Sequence, residues 1–163
     1  MGNVGSYYDG DTTMIQEEHF NQWYEEAYPM FVAQYGELCW RQEKIKLKVR
    51  YDLYQSMVYQ NLVHAYVSRT DSGTIDGYAL WVLTPSLHYA DIMVGNNDII
   101  YVDPQHRGYG LIHKLLNFSE TELHKVGCNV LSLHIKMWKD WSMIAERHGY
   151  EKTEFLLQKW IGD

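Results

Sequence analysis

The sequence predicts an α+β fold in one domain: a mixed, mostly antiparallel sheet of six to seven strands flanked by helices. Three observations predict it. Apolar stripes at three- and four-residue steps mark helices near the N-terminus, and a hairpin follows them. A β-branched run then passes through a glycine-rich turn into an amphipathic helix and a further strand. An antiparallel start followed by strand–helix–strand makes the sheet mixed. At 163 residues the chain suits a single domain with a real core.

The segment before Thr13 is polar and has no apolar stretch, so residues 1–13 read as flexible and not as a signal peptide. Thr13-x-x-Gln16 has the spacing of a capping box and predicts a helix to about Tyr28, which Pro29 bends or ends. Phe20, Trp23, Ala27 and Phe31 form its apolar stripe. A second helix is expected from about Gln42 to Met57, with Ile45, Val49, Leu53 and Met57 at four-residue spacing. Its Glu43, Lys44, Lys46, Lys48 and Arg50 would make a solvated face. Residues 62–67 read as a strand, Thr70-Asp71-Ser72-Gly73 as a turn, and residues 75–83 as the returning strand of a hairpin.

Residues 98–116 carry the most chemical information. Asp98-Ile99-Ile100-Tyr101-Val102 runs to Pro104, and then come Gln105, His106, Arg107, Gly108, Tyr109 and Gly110 before the helix of Leu111, Ile112, Leu115 and Leu116. Glycines let backbone approach an anion, and the free N–H groups of a helix start carry partial positive charge. Strand, turn and helix together are an anion site, most often for phosphate. No Gly-x-x-x-x-Gly-Lys-Ser/Thr loop is present, and a dinucleotide fingerprint fails because His113 stands where its third glycine belongs.

With Val102-Asp103-Pro104 ahead of it, this loop resembles the acyl-CoA loop of the GNAT family of N-acyltransferases, Arg/Gln-x-x-Gly-x-Gly/Ala. Gln105 opens the motif in one register. In a second, Arg107-x-x-Gly110-x-Ile112, residues Leu115, Leu116, Glu120 and Leu123 fall where the family places theirs, and Ile112 replaces Gly or Ala. From Gly77 to Trp160 the order is similar to the family core: strand 78–83, strand 92–102, loop and helix 107–125, strand 130–137, short helix 140–148 and final strand 152–160. Leu87-His88-Tyr89-Ala90-Asp91, Asn97-Asp98, His134-Ile135-Lys136 and Gly149-Tyr150 are also similar to family members encoded by bacteriophages and prophages.

The resemblance implies acetyl-CoA as acyl donor, lying in a gap between splayed central strands. The main chain of Ile100, Tyr101 and Val102 would face its pantetheine arm, and Gln105, Arg107, Gly108, Tyr109, Gly110, Leu111 and Ile112 would turn around its phosphates. Acetyl transfer to an amine needs a base, a polarised carbonyl and a proton for the departing thiolate. Asp98, four residues before Val102, stands where many members carry the base; it could equally be a paired structural aspartate beside Asn96 and Asn97. Alternation puts His134 on one face with Ser132 and Lys136, suited to relay a proton or to hydrogen-bond within the core. His88 and Tyr89 are expected in acceptor recognition. The family's usual acid on the short helix is Ala145 here, and Trp138 replaces an asparagine at that helix's start, so His134 or Tyr101 would serve or the thiolate would leave unassisted.

Composition narrows the partners. A net charge of −7 disfavours direct nucleic-acid binding and suits cationic acceptors, whether a small-molecule amine or a protein amine. Cys39 and Cys128, far apart and without a C-x-x-C, point to reduced thiols and the cytoplasm. No apolar run approaches the roughly 20 residues that span a bilayer, so no membrane partner is expected. The 8 histidines include no His-Glu-x-x-His, and no metal site is expected. The 14 tyrosines and 6 tryptophans permit a homodimer. Two functional readings remain: a direct-transfer N-acetyltransferase, with an aminated nucleobase or a host protein lysine among the acceptors left open, and a non-catalytic interaction module of the same fold acting on a host protein.

Overall fold

A strand, β1 (Met14–Glu17), stands where the Thr13-x-x-Gln16 spacing predicts a helix. The computed structural model describes residues 13–162, so the expected flexible segment lies, Thr13 apart, outside the described residues. Helix α1 (Phe20–Leu38) starts after His19, whose N–H donates to Gln22 Oε1 at 2.8 Å. Pro29 lies inside α1 without ending it. It removes one backbone bond, but the buried stripe of Phe20, Trp23, Ala27, Met30 and Phe31 continues across it.

The second helix is shorter than expected, α2 (Tyr51–Tyr59). Before it, Ile45, Leu47 and Val49 are half-buried while Lys46, Lys48 and Arg50 are exposed. That two-residue alternation belongs to extended chain, and it prevails over the four-residue spacing. Strands β2 (Val63–Arg69) and β3 (Ile75–Pro85) form the expected hairpin, closed where Thr70 and Thr74 exchange a 2.9 Å backbone bond. Then follow β4 (Met93–Val102), α3 (Leu111–Lys125), β5 (Val130–Ser132) and α4 (Ser142–Arg147).

The sheet has five strands among the described residues, in the order β1-β2-β3-β4-β5, not six to seven. The first four are antiparallel neighbours and β5 runs parallel to β4. Two expectations account for the difference. The strand expected over 130–137 ends at Ser132, because beyond that point it leaves β4. Residues 152–160, expected as the final strand, pair with no strand among the described residues, and Phe155 and Leu157 stand 98% and 92% exposed.

Helices cover both faces. Under α1 and α2, Phe20, Trp23 and Phe31 pack on Tyr78, Leu80, Ile99 and Tyr101 of the sheet. Under α3, Leu111, Leu115, Leu116 and Leu123 pack on Ala79, Trp81 and Val102. Trp81 Nε1 donates to Ser119 Oγ at 2.9 Å inside this second core. Gly77 permits the close approach, since a Cβ there would meet Leu111 Cδ2 and the Tyr101 carbonyl at 3.1 Å. At the β1 edge, buried Glu18 takes both Nε and Nη2 of Arg69, at 2.7 and 2.9 Å, fixing α1's start against β2.

Candidate active site

Asp98 owes its position to a β-bulge. Ile99 pairs with Leu80 and Asn97 with Trp81, which leaves Asp98 as the extra residue of β4. Simple alternation would send Asp98 toward α3, opposite Ile99. The bulge turns it instead to the α1–α2 side, where the Tyr54 hydroxyl of α2 donates to Asp98 Oδ2. The packed groups around it push its carboxyl above its ordinary value, and the Tyr54 bond opposes part of that shift. Asp98 still reaches solvent. Tyr54, pushed up by burial and by Asp98, remains a neutral donor.

One residue before the bulge the sheet opens. β4 and β5 pair only over Val94–Asn96 and Val130–Ser132. Just beyond, the buried Asn97 side chain accepts the His134 N–H at Oδ1, 2.5 Å, so a side chain bridges where the backbone ladder has ended. From Asp98 to Val102 the edge of β4 away from β3 therefore has no partner strand among the described residues. His134 lies past the end of β5 and is exposed at this point of divergence.

The gap leads to the glycine loop. Asp103 Oδ1 accepts the Gln105 N–H at 2.8 Å and caps a single 3₁₀ turn, Pro104–His106. Gly108 and Gly110 have φ of 91° and 80°, which favours glycine, and a Cβ on either would meet nothing within 4 Å. Open space therefore lies beside both glycines ahead of α3's first N–H groups. Leu111 is buried in the α3 core and Ile112 partly so, so these two can offer only backbone N–H groups; Tyr109 is 73% exposed.

The Arg107 guanidinium is engaged within the chain. Its Nη1 and Nη2 hold both oxygens of Glu37, at 3.1 and 2.9 Å, and its Nε donates to the Val102 carbonyl at 3.0 Å. The Val102 acceptor is therefore already engaged. Tyr101 Oη also donates to Glu37, at 3.1 Å, with the Arg107 guanidinium 5.2 Å above its ring. Lys139 Nζ lies 3.6 Å from the same carboxylate, and Trp138 Nε1 donates to the Glu37 carbonyl at 3.2 Å. Arg107 chiefly holds the Glu37 carboxyl below its usual value. Burial and Glu37 push the Tyr101 hydroxyl up to about 12, which keeps it protonated at neutral pH.

His88 and Tyr89 sit on the exposed turn joining β3 to β4, at the end of the sheet opposite the glycine loop. Ala145 is buried on α4 and brings no acid to the gap. The sequence reading missed Tyr54, Glu37, Asn97 and Lys139. Glu37 lies 70 residues from Arg107 and Tyr54 lies 44 from Asp98, with no local pattern to link either pair. Asn97 stands directly before Asp98, and its side-chain amide was the one legible clue to an interrupted ladder. No helix among the described residues is long and apolar enough to cross a membrane.

Comparison with known proteins bears on this arrangement. No curated protein sequence matches the chain. In structure it is similar to glucosamine-6-phosphate N-acetyltransferase from Arabidopsis thaliana, with 15% identity over 93% of this chain and 99% of that one, TM-score 0.68. It is similar to an aminoglycoside acetyltransferase from an uncultured soil metagenomic sample in complex with sisomicin, with 13% identity over 93% and 95%, TM-score 0.69. A predicted acetyltransferase with acetyl-CoA from Clostridium acetobutylicum has 12% identity over 92% and 97%, TM-score 0.66. At such identities these likenesses speak for the fold. The model of the acetyltransferase (GNAT) family matches residues 15–150, spanning bulge, gap and glycine loop, and the chain belongs to that family of N-acetyltransferases.

Proposed function

We propose that the chain transfers an acetyl group from acetyl-CoA to a primary amine by direct attack within a ternary complex. One observation carries this reading: β4 parts from β5 directly after Asn96, beside the bulged Asp98, and the opened edge runs to a loop with open space at Gly108 and Gly110 before a helix start. An extended chain ending in a diphosphate suits that shape, as does the acetyl-CoA named with the Clostridium acetobutylicum protein. The donor supplies a thioester, whose C–S bond breaks as the C–N bond to the amine forms.

The chain's residues supply the rest. The backbone groups of Ile100 and the Val102 N–H, which alternation turns away from β3, hold the donor's extended arm, and the Gly108–Ile112 N–H groups meet its phosphates. Asp98 takes the proton from the acceptor's ammonium, directly or through one water, and frees the nitrogen lone pair for attack on the carbonyl carbon. Holding both reactants in one gap makes a covalent enzyme intermediate unnecessary. Tyr54 fixes the Asp98 carboxylate by its hydroxyl. As the C–S bond breaks the nitrogen sheds its second proton, which His134, exposed where the strands diverge, passes to the departing sulfur, while the proton on Asp98 leaves to water. His88 and Tyr89, on the turn beside the start of β4, contact the acceptor.

The two free cysteines accord with a cytoplasmic enzyme, and the stretches around His88, Asp98 and His134 with a phage-encoded origin. The test follows thiol release from acetyl-CoA over amino acids, polyamines, aminoglycosides, nucleosides and lysine peptides. Turnover with one class names the acceptor. No turnover with any, alongside a stoichiometric protein partner, favours the non-catalytic module, toward which the engagement of Arg107 by Glu37 is the one structural pointer.

A further inference from the structure

The first turn of α3 is held from the side and not by a cap. Gly110 at its N-cap has no side chain to offer, and no acidic residue stands in the turn. An uncapped helix start frays. The donor site proposed above nevertheless needs those N–H groups in place before the phosphates arrive, since ordering them on binding costs affinity. The structure supplies another tie. His113, in that turn, donates its N–H to the Gly110 carbonyl at 3.0 Å, and its imidazole Nδ1 lies 2.8 Å from Nε2 of His148. The two rings stack with centroids 5.1 Å apart. His148 ends α4, and its own N–H donates to the carbonyl of buried Ala145 at 2.9 Å. Its side chain is only 9% exposed, so water competes little for the bond between the rings.

Glu120, two turns further along α3, brings Oε1 to ion-pair distance, 3.6 Å, from the other ring nitrogen of His148. The buried Tyr150 hydroxyl, just past α4, bears on the same carboxylate; burial and Glu120 push it up, so it stays neutral. Lys114 and Arg147, next in sequence to the two imidazoles, are exposed. We infer that His148, with Glu120 beside it, is a positioning residue for the donor: it acts through His113 to hold α3's first turn, and only while at least one of the two imidazoles is neutral. The inference rests on the proposed donor site, though the tie itself can be read without a donor. The requirement for a neutral ring is geometric. A 2.8 Å N···N contact needs one N–H and one lone pair, and a second proton sets N–H against N–H and charge against charge. Glu120 favours the first proton and does nothing to restore the lost lone pair. Unfolded, both rings take protons independently, so the tie's contribution is full above histidine's ordinary range and is lost as pH falls through it.

Hydrogen exchange of the His113 and Lys114 amides, both bonded to Gly110 in the donor-free chain, reads the tie, and titration calorimetry with acetyl-CoA reads its consequence. Both are measured at about pH 7.5 and about pH 5.5, either side of histidine's ordinary range. With the intrinsic pH dependence of exchange removed, wild type should lose protection roughly five- to tenfold at the lower pH, the worth of one net hydrogen bond. His148→Gln keeps an amide that can donate to or accept from His113 and takes no proton, so its protection should stay high and flat. His148→Ala should show the low protection at both pH values. Acetyl-CoA affinity should follow the same pattern; the donor's phosphates and His106 titrate in every chain and cancel in the comparison. Equal pH dependence in wild type and His148→Gln would overturn the inference, as would a His148→Ala chain protected like its parent at the higher pH. Protection that follows the pattern while acetyl-CoA affinity is the same in all three chains would overturn the positioning role. Wild type that binds no acetyl-CoA refutes the donor site, and the positioning role with it, whatever the exchange shows.

Discussion

Arg107 grips Glu37 with both terminal nitrogens, tying the glycine loop to the last turn of α1 across 70 residues of sequence. The carboxylate also takes the Tyr101 hydroxyl and lies 3.6 Å from Lys139, so one side chain gathers α1, β4 and the segment after β5. Because its pKa is lowered, Glu37 contributes stability above the ordinary carboxylate value of 4.5, and that stability is lost as pH falls through the folded-state value. Glu37→Gln should therefore lower Tm at pH 7 by about 3 °C, the size expected for a partly exposed pair worth about 1 kcal/mol. The two melting curves should converge as the buffer is taken below pH 4.5. An offset that stays constant with pH would mean that the charge pair contributes nothing.

Asp98→Asn separates catalysis from stability. Loss of a general base costs about 10² to 10⁴ in rate, so kcat should fall by that order with acetyl-CoA affinity little changed. Activity should partly return at high pH, where the amine deprotonates unaided. Stability should move the other way. The folded-state pKa of Asp98 is raised, so its contribution is full below the ordinary value of 3.8 and is lost as pH rises through the folded value. Asparagine removes that loss, and the variant should melt above wild type at pH 7, with the gap closing toward pH 3.8. A variant that loses both rate and Tm would make Asp98 structural.

Tyr54→Phe removes the hydroxyl that holds the Asp98 pKa down. The remaining cause, burial, then acts alone, so the pH–rate profile's acid limb should move to higher pH while the plateau stays within a few-fold of wild type. An unmoved limb would show that Asp98 is not the group whose ionisation governs the rate.

Asn97→Ala should loosen the point where the sheet opens. A buried acceptor for the His134 N–H is lost, at a cost of about 1 to 3 kcal/mol. The expected result is a lower Tm and a raised KM for acetyl-CoA, measured by thermal melts and initial rates. His134→Ala leaves the backbone N–H in place and should instead lower kcat with that KM unchanged. If both variants change the same parameter, His134 acts only through the backbone.

What could be read from the sequence was local. Asp103, Pro104, Gly108 and Gly110 announce strand end, turn and helix start within eight residues, and the loop follows that reading. The same locality misled at Thr13, where strand pairing of Ile15 with Ser68 outweighs a capping box, and at residues 45–50, where two periodicities coincide. Asp98 was legible as an acid before Val102, but its orientation depends on a register slip against Leu80 and Trp81 that no property of β4 alone encodes. Residues 152–160 have the composition of the final strand expected there, but composition names no partner, and among the described residues no strand pairs with them.

Isothermal titration with acetyl-CoA tests the proposed acyl-donor site, the opened β4 edge with its glycine loop, most directly. Wild type should bind one equivalent per chain at micromolar to submillimolar concentration. Gly110→Trp should abolish binding while the fold, judged by circular dichroism, persists: space is open there, but a φ of 80° and an indole over α3's first N–H groups deny the phosphates their seat. Wild type that takes up no acetyl-CoA at millimolar concentration would contradict the account, as would a Gly110→Trp chain that binds as tightly as its parent.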